Sequence, residues 1–389
     1  MKINPDARWP FIITAALISV AVILTSGLFD EPDVSGYTLS QYMNSQYNVV
    51  KARVLSVDDS HLSPDPYIEG MRIGTQLIEI EITGGPHRGE VFSTPNPMSR
   101  AFNVELKPGM AFLCLITEED GIVSRVDVYG YSRESTFFWL LAVFCAVVLF
   151  VGRKKGLYSM VSLIFTLIIM LFFLIPRIIE GHNPILMAII AATLTTVVSM
   201  LTVSGFNSKS LSAIMGIVLG VAAAALIGVI AGNLGNISGI NAQESAEMIS
   251  LARDVPIKVR ELFFAGIIIA ALGAIMDVGM SISSAVFEIK AANPKLGRRE
   301  LYRSGMNIGR DIIGTMTNTL ILAFTGSSMA VIIIITLYRL PFFRMINLDI
   351  VGLEIIQGVA GSIGLILTVP ITAICAAFFS SSKVERRHK

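Results

Sequence analysis

The chain has 389 residues, 15% of them charged, with a mean hydropathy of +0.69 and a net charge of +1. This composition is far more apolar than that of a soluble globular protein and excludes that class. Several apolar runs are as long as the roughly 20 residues that cross a bilayer, which predicts an integral membrane protein of several spans with the lipid bilayer as its surroundings.

The first 29 residues are predicted to be a membrane anchor. Lys2 and Arg8 precede an apolar run, Trp9 to Phe29, of spanning length. A secretory signal is the alternative, but the sequence LTSGLFDEP that closes the run offers no small-residue cleavage site. We therefore expect an uncleaved transmembrane anchor over 1–29 with a cytoplasmic amino terminus.

Residues 30–135 are predicted to be a small β-barrel domain inserted between membrane spans. Gly84-Gly85 before Pro86 indicates a hairpin turn. Strands that are half buried alternate apolar and polar residues, and about five such runs fit a closed barrel of the OB or SH3-like type. The runs are 49–57, 75–83, 89–95, 109–117 and 122–131. Such a domain binds a ligand, docks an envelope protein partner or serves only as a spacer, and no aromatic or basic stripe favours nucleic acid.

Residues 136–380 are predicted to hold about seven spans, which with the anchor gives an all-α membrane bundle of about eight helices. A basic cytoplasmic tail follows at 381–389. The expected spans are Phe137–Val151, Tyr158–Pro176, Pro184–Val203, Leu211–Ala231, Phe263–Glu288, Asp311–Tyr338 and Val351–Phe379.

Several features inside these runs modify the simple picture. Gly216 and Gly220 have the small-xxx-small spacing that lets membrane helices approach closely, and helix packing is their preferred interpretation. The polar segment 232–260 predicts an amphipathic helix at the outer interface. Thr325 to Ser328 is expected to bend its span, and Gly358, Gly361, Gly364 and Pro370 make the last span a second breakable helix.

Orientation follows from the excess of lysine and arginine in cytoplasmic loops. Eight spans with the amino terminus inside place the basic clusters at 153–155, 209, 290–310 and 383–389 in the cytoplasm. The same threading places residues 30–135 and 232–260 outside, and both chain termini inside.

The strongest functional signal is an acid inside the fifth of these spans. Ser281, Ser284 and Glu288 follow Asp277 by four, seven and eleven residues, which places all four on one helix face. A carboxylate at membrane depth is costly and usually meets a bundle interior, a partner or water. These residues are candidates for a transport or proton path. The alternative is that they hydrogen-bond to a neighbouring helix.

The next span carries a matching set. Asp311, Thr315 and Asn318 share a helix face, and we expect Asn318 to lie at the depth of Asp277 and Ser281 on a neighbouring helix. Glu354 and Gln357, near the outer start of the last span, are secondary candidates, although an interfacial acid also explains them.

Other chemistries lack their motifs. There is no G-x-x-x-x-G-K-[ST] loop for ATP and no H-E-x-x-H. The histidines at 61, 87, 182 and 388 are scattered, and the three cysteines are far apart. We therefore expect no enzyme activity, no cofactor and no metal. Asp277 and Asp311 are also a poor match to an intramembrane aspartyl protease pair.

The segment FAGIIIAALGAIMDVGMSISSAVFEI resembles the signature of the YibE/F family of bacterial multi-span membrane proteins. So do NAQESAEMISLARDVPIKVRELFFAG, GRDIIGTMTNTLILAF and the outer-domain stretch EIEITGGPHRGEVFSTPN. The resemblance covers nearly the whole chain. It implies a bacterial plasma-membrane location, and family members are sometimes described as transporters or permeases.

The leading functional hypothesis is a secondary transporter or exporter, in which Asp277 and its face line the route of a small molecule, ion or peptide, with or without proton coupling. A second hypothesis is a membrane scaffold that transports nothing and binds an envelope partner through residues 30–135. A channel is a third. Each of them allows an oligomer.

Overall fold

A computed structural model describes residues 48–119, 122–238 and 258–385. The chain divides after Val147 into a sheet-bearing unit and a helical unit. The predicted anchor at 1–29 and most of the predicted outer amphipathic helix lie outside the described residues.

The first unit is built on a five-stranded antiparallel sheet in the order β3-β2-β1-β4-β5. Each strand overlaps one of the five alternating runs, so the predicted strands are confirmed, and β1 extends seven residues beyond its run. The strands are β1 (Asn48–Pro64), β2 (Arg72–Ile82), β3 (Val91–Met98), β4 (Ala111–Glu119) and β5 (Ile122–Tyr131).

The sheet curls around one apolar core because every second side chain points inward. Along β2, Ile78, Ile80 and Ile82 are fully buried, whereas the residues between them are more exposed. The two outermost strands of the sheet approach each other, and Thr94 of β3 donates its hydroxyl to the Val126 carbonyl of β5 at 2.6 Å. The described part of the unit is thus a half-barrel. The closed barrel of the OB or SH3-like type stays a prediction.

The hairpin predicted at Gly84-Gly85 joins β2 to β3, and Gly85 has the positive φ of 80° that favours glycine. His87 in this turn ties it to β4. Its Nδ1 lies 3.1 Å from Glu90, and its Nε2 lies 3.1 Å from Glu118. Both ring nitrogens donate only in the protonated imidazole. The hydrogen bond with Glu90, and then that with Glu118, raise the pKa of His87.

We expect this link to weaken at alkaline pH. A pKa raised by folding gives stabilisation that is complete below the ordinary value of 6.5 and is lost as the pH rises through the raised value. Hydrogen exchange of residues 83–90 in the detergent-solubilised protein should be faster in His87→Gln than in the wild type at pH 6, with the difference shrinking at pH 9. His61→Gln is the control, since its ring makes no hydrogen bond or ion pair with a described residue. An equal difference at both pH values would contradict the assignment.

The second unit is helical. Its helices, with the entry segment shared with the first unit, are α1 (Glu134–Ile169), α2 (Ile175–Ile179), α3 (Pro184–Ser204), α4 (Ser208–Leu234), α5 (Val259–Ala292), α6 (Arg298–Ser327), α7 (Met329–Leu337), α8 (Phe342–Ile346) and α9 (Asp349–Glu385). Among the described residues, five helical stretches are long and apolar enough to cross a membrane, and the bent pair α6–α7 makes a sixth if it counts as one span. The mostly helical architecture with several apolar stretches is compatible with the predicted membrane class.

The longest stretch is divided at Arg153. Residues 134–179 count as one stretch of 46 residues, which would be about 69 Å as a straight helix. Arg153, however, has φ 49° and ψ −131°. A side chain at Gly156 would overlap the Val148 carbonyl, although eight residues of straight helix would separate the two by about 12 Å. The sharp bend lies at the basic cluster predicted to separate two spans.

The core of the helical unit lies between α4, α5 and α9. Ile217 of α4, Ile275 and Ile282 of α5, and Leu365 and Val369 of α9 are all fully buried in it. Helix α3 packs on α5 and is tied to the second part of α1 by the hydrogen bond from Ser162 to Ser199 at 2.6 Å. This arrangement decides which face of α5 stays open.

One prediction about the last helices needs correction. Helix α6 begins at Arg298, ahead of the predicted span that starts at Asp311, so most of the basic 290–310 region is helical. Its bend of 61° to α7 falls at Ser328, inside the predicted interval. The second expected break is wrong, because α9 continues through its glycines and Pro370. Those glycines instead allow close packing, for example of Gly364 against Ala224 and of Gly361 against Ala271.

Candidate functional site

The predicted polar face of α5 is open in the structure. Asp277, Ser281 and Glu288 are exposed and Ser284 is half-buried, so the four side chains share one side of the helix as their spacing predicts. No described residue donates a hydrogen bond or forms an ion pair with the Asp277 carboxylate. The interior of the described bundle therefore does not bury this acid, which was one of the surroundings expected for it.

The opposite face of α5 supplies the packing. Ile275, Ile282 and Val286 are fully buried, and Gly279 lies so close to Ile217 that an added Cβ would come within 2.5 Å of it. Branched apolar side chains thus fix α5 against α4 and α9. Its polar side can only face lipid, water or a part of the chain or a partner outside the described residues.

The open face continues toward the amino-terminal end of α5 through small residues that sequence reasoning missed. Gly266, Ala270 and Gly273 are exposed, and a Cβ added at either glycine would meet nothing within 4 Å. With Asp277 and Ser281 they form one stripe at three- and four-residue spacing. The signal was present in the sequence as a run of small residues in register with Asp277.

The three candidates on α6 are also on its open side. Asp311, Thr315 and Asn318 are all exposed. The Thr315 hydroxyl donates a hydrogen bond to the Ile312 carbonyl at 3.0 Å. The packed side of α6 is instead made of Gly305 and Gly309. Glycines allow this helix to lie close to α5 and α9, which leaves the polar residues outward.

The packed pairs fix the relative heights of α5 and α6. A Cβ at Gly309 would lie 3.4 Å from Ile282, and one at Gly361 of α9 would lie 3.3 Å from both Ala271 and Leu320. The two helices are therefore antiparallel, and Asp277 is level with residue 314 of α6. Asp311, Thr315 and Asn318 fall within about 6 Å of that height along the axis. This places the two open polar faces at the same depth on neighbouring helices.

The secondary candidates lie elsewhere. Glu354 and Gln357 are half-buried near the start of α9, and Glu354 lines a cavity of about 320 Å³ between α9 and the bend of α6–α7. A second cavity, of about 360 Å³, lies beside Arg260 and Glu261 at the start of α5. Asp277 lines neither of them.

Gly216 and Gly220 lie where the backbones of α4 and α9 approach each other closely. A Cβ at Gly216 would overlap the Thr372 hydroxyl of α9, and one at Gly220 would overlap the Thr368 hydroxyl. Small residues let the two backbones approach in this way. The geometry is that of packing, and these glycines face away from the open side of α5.

Metal and thiol chemistry find little support in the described ranges. Within 48–119, 122–238 and 258–385, no group of three histidine, cysteine or carboxylate side chains could hold a metal ion. Cys114 is buried in the sheet unit, and burial raises the pKa of its thiol to about 11. The thiolate, which is the reactive form, is therefore scarce at neutral pH.

The open faces of α5 and α6 can accept protons or cations at the carboxylates of Asp277 and Asp311, and the exposed Arg310 lies beside Asp311 on α6 as a positive charge at similar height. Neighbouring hydroxyl and amide groups at Ser281, Thr315 and Asn318 add oxygen ligands. A lipid-facing position would leave these groups unsolvated at high cost. The arrangement is therefore one that water or a polar partner has to cover.

Comparison with known proteins gives one match. Neither the curated proteins nor the solved structures contain a protein that matches the chain. Residues 140–382, which are more than half of the chain, match the family model described as YibE/F-like protein. This range begins in α1 and includes both open polar faces. Because the match covers more than half of the chain, the chain belongs to the YibE/F-like family.

Proposed function

We propose that this protein is a secondary membrane transporter whose route runs along the open polar faces of α5 and α6. The observation that carries the proposal is that Asp311, Thr315 and Asn318 lie within about 6 Å of the height of Asp277 on an adjacent helix, all with exposed side chains. Carboxylates at membrane depth usually mark substrate or proton pathways. A hydrogen-bonded contact within the described bundle, the main alternative, has no partner there.

The proposal includes a topology of eight spans in a bacterial plasma membrane. The described apolar stretches support it, since the bend at Arg153 divides the longest of them in two and α6–α7 counts as one broken span. The anchor Trp9–Phe29 completes the number. Both termini are then cytoplasmic and residues 30–135 are extracytoplasmic, in agreement with the placement of basic residues.

The charge of the route favours cations and proton coupling. Asp277 has no counter-ion among the described side chains, so a proton or a cationic substrate can neutralise it without breaking an existing ion pair. Competition of the two for one carboxylate is the simplest basis for exchange. ATP-driven transport within this chain has no nucleotide loop to support it.

Reconstituted vesicles test the proposal. Purified protein in liposomes with an acidic interior and a trapped pH dye is exposed in turn to sodium, potassium, magnesium and alkylammonium ions. We expect at least one cation to discharge the pH gradient faster than in empty vesicles, and to move more slowly when no gradient is imposed. Equal rates with and without protein for every cation would overturn cation–proton exchange.

The scaffold hypothesis retains one specific observation. The order β3-β2-β1-β4-β5, with Thr94 linking the outermost strands β3 and β5, is the order expected of a five-stranded OB-type barrel, a fold that often binds ligands at its surface. Tyr67 and Ile68, in the turn after β1, are exposed. An envelope partner bound there would make deletion of 35–130 abolish function completely, whereas a transporter would retain part of its flux.

A further inference from the structure

A second site lies in the crevice between the bent pair α6–α7 and the start of α9. It has a volume of about 320 Å³, within the range of small-molecule sites. Its walls are almost entirely apolar and include Phe324, Ile332 and Val359. It exists because α6 and α7 meet at 61° at Ser328, which leaves a gap that a straight helix would not.

Three polar side chains reach this crevice, and two of them are already satisfied. Thr325 donates its hydroxyl to the Ile321 carbonyl at 2.8 Å, and Ser328 donates to the Phe324 carbonyl at 3.1 Å. Glu354 is different. It is half-buried, and no lysine, arginine or hydrogen-bond donor in the described part of the chain pairs with it.

An unpaired carboxylate in an apolar wall selects its ligand by charge. Lipid chains satisfy the wall but leave Glu354 without a partner, which is costly at low dielectric. An anionic amphiphile adds repulsion. A hydrophobic cation satisfies both, because its apolar groups fill the gap and its charge meets the carboxylate. Phe324, an aromatic residue of the crevice wall, is of a type that attracts cations.

We propose that this crevice binds hydrophobic organic cations, with Glu354 as the counter-charge and the α6–α7 bend as the apolar wall. The site is separate from the open face of α5, since Asp277 does not line it. Binding is an equilibrium property and does not depend on the proposed transport, so the two can fail independently.

Two probes of nearly equal shape and opposite charge test the proposal. Full-length protein in lipid nanodiscs is titrated with labelled tetraphenylphosphonium, with empty nanodiscs subtracted. We expect saturable binding of one cation per chain that tetraphenylborate does not displace. Glu354→Gln should weaken binding at least tenfold. The matched control, Glu180→Gln, removes an acid from the turn after α2 and should leave binding unchanged.

A filling variant distinguishes the crevice from the bilayer. Ile332→Trp adds a ring inside the gap and should abolish saturable binding, and Ile332 is 41% exposed, so folding should survive. Gel-filtration profiles verify this for each variant. Unchanged cation binding in Glu354→Gln, or equal displacement by tetraphenylborate, would overturn the proposal and leave an apolar crevice occupied by lipid.

Discussion

Gly220→Ala is expected to destabilise the helical unit strongly. The same substitution at Gly273, which also lies inside a long apolar helix, should not. An added Cβ at Gly220 would overlap the Thr368 hydroxyl and lie 3.1 Å from the Gly364 carbonyl. Forcing an extra methyl group into such a contact costs about 1–3 kcal/mol or more. At Gly273 nothing lies within 4 Å of the same atom, and alanine is the better helix former by up to about 1 kcal/mol.

The measurement is the apparent melting temperature of the detergent-solubilised protein, followed by its monodisperse gel-filtration peak. Gly220→Ala should lower it, and Gly273→Ala should leave it unchanged or raise it. Thr368→Ala supplies the internal check. It removes the overlapping hydroxyl, which now donates to the Gly364 carbonyl at 2.8 Å, and should recover much of the loss when combined with Gly220→Ala.

This double-mutant test isolates the contact, because two residues that touch show a coupling that distant residues do not. An additive double variant would mean that α4 and α9 do not meet at Gly220 as described. The same would follow if Gly273→Ala were the more harmful substitution. Either result would also undermine the account of the open face of α5. That account depends on α4 and α9 packing together against the opposite face of α5.

Asp277→Asn is expected to abolish pH-gradient-driven flux in reconstituted vesicles, with at least a tenfold fall in rate and a normal gel-filtration profile. The amide has nearly the shape of the carboxylate, so packing changes little. It cannot exchange a proton or neutralise a cation. Since the side chain is exposed and makes no hydrogen bond with a described residue, the folded state should tolerate the change.

Two companions make this result specific. Asp277→Glu restores the charge one methylene further out and should retain part of the flux. Glu180→Gln removes an exposed acid that pairs with Arg177, 2.9 Å away in the turn after α2, and should transport like the wild type. Full activity of folded Asp277→Asn would remove the carboxylate from the mechanism.

Some parts of the structure were predictable because they depend on local periodicity. The five strands follow from period-two alternation, which the sheet requires of any half-buried strand. The bend at Ser328 falls at the end of a run of Thr, Gly and Ser, residue types at which a helix commonly bends. The grouping of Asp277, Ser281, Ser284 and Glu288 on one face follows from the 3.6-residue turn.

Other parts depend on which helices meet, and the sequence alone determines no such pairing. Gly361, Gly364 and Pro370 looked like break points, yet α9 is continuous because its glycines pack against α4 and α5. Glycine allows close approach between two helices and also allows a helix to break. The sequence alone therefore does not distinguish these two uses.

The sequence by itself determined that the chain has several apolar stretches of spanning length, a strand-rich segment and an acid inside one of those stretches, since hydropathy and periodicity are properties of single segments. Only the tertiary structure decided that the acid faces outward and level with Asp311, Thr315 and Asn318. It also decided that Glu354 lines a crevice. Both results come from the packing of α4, α5, α6 and α9 together. Which side of a helix is buried, and so which side stays exposed, is set by the neighbours it packs against.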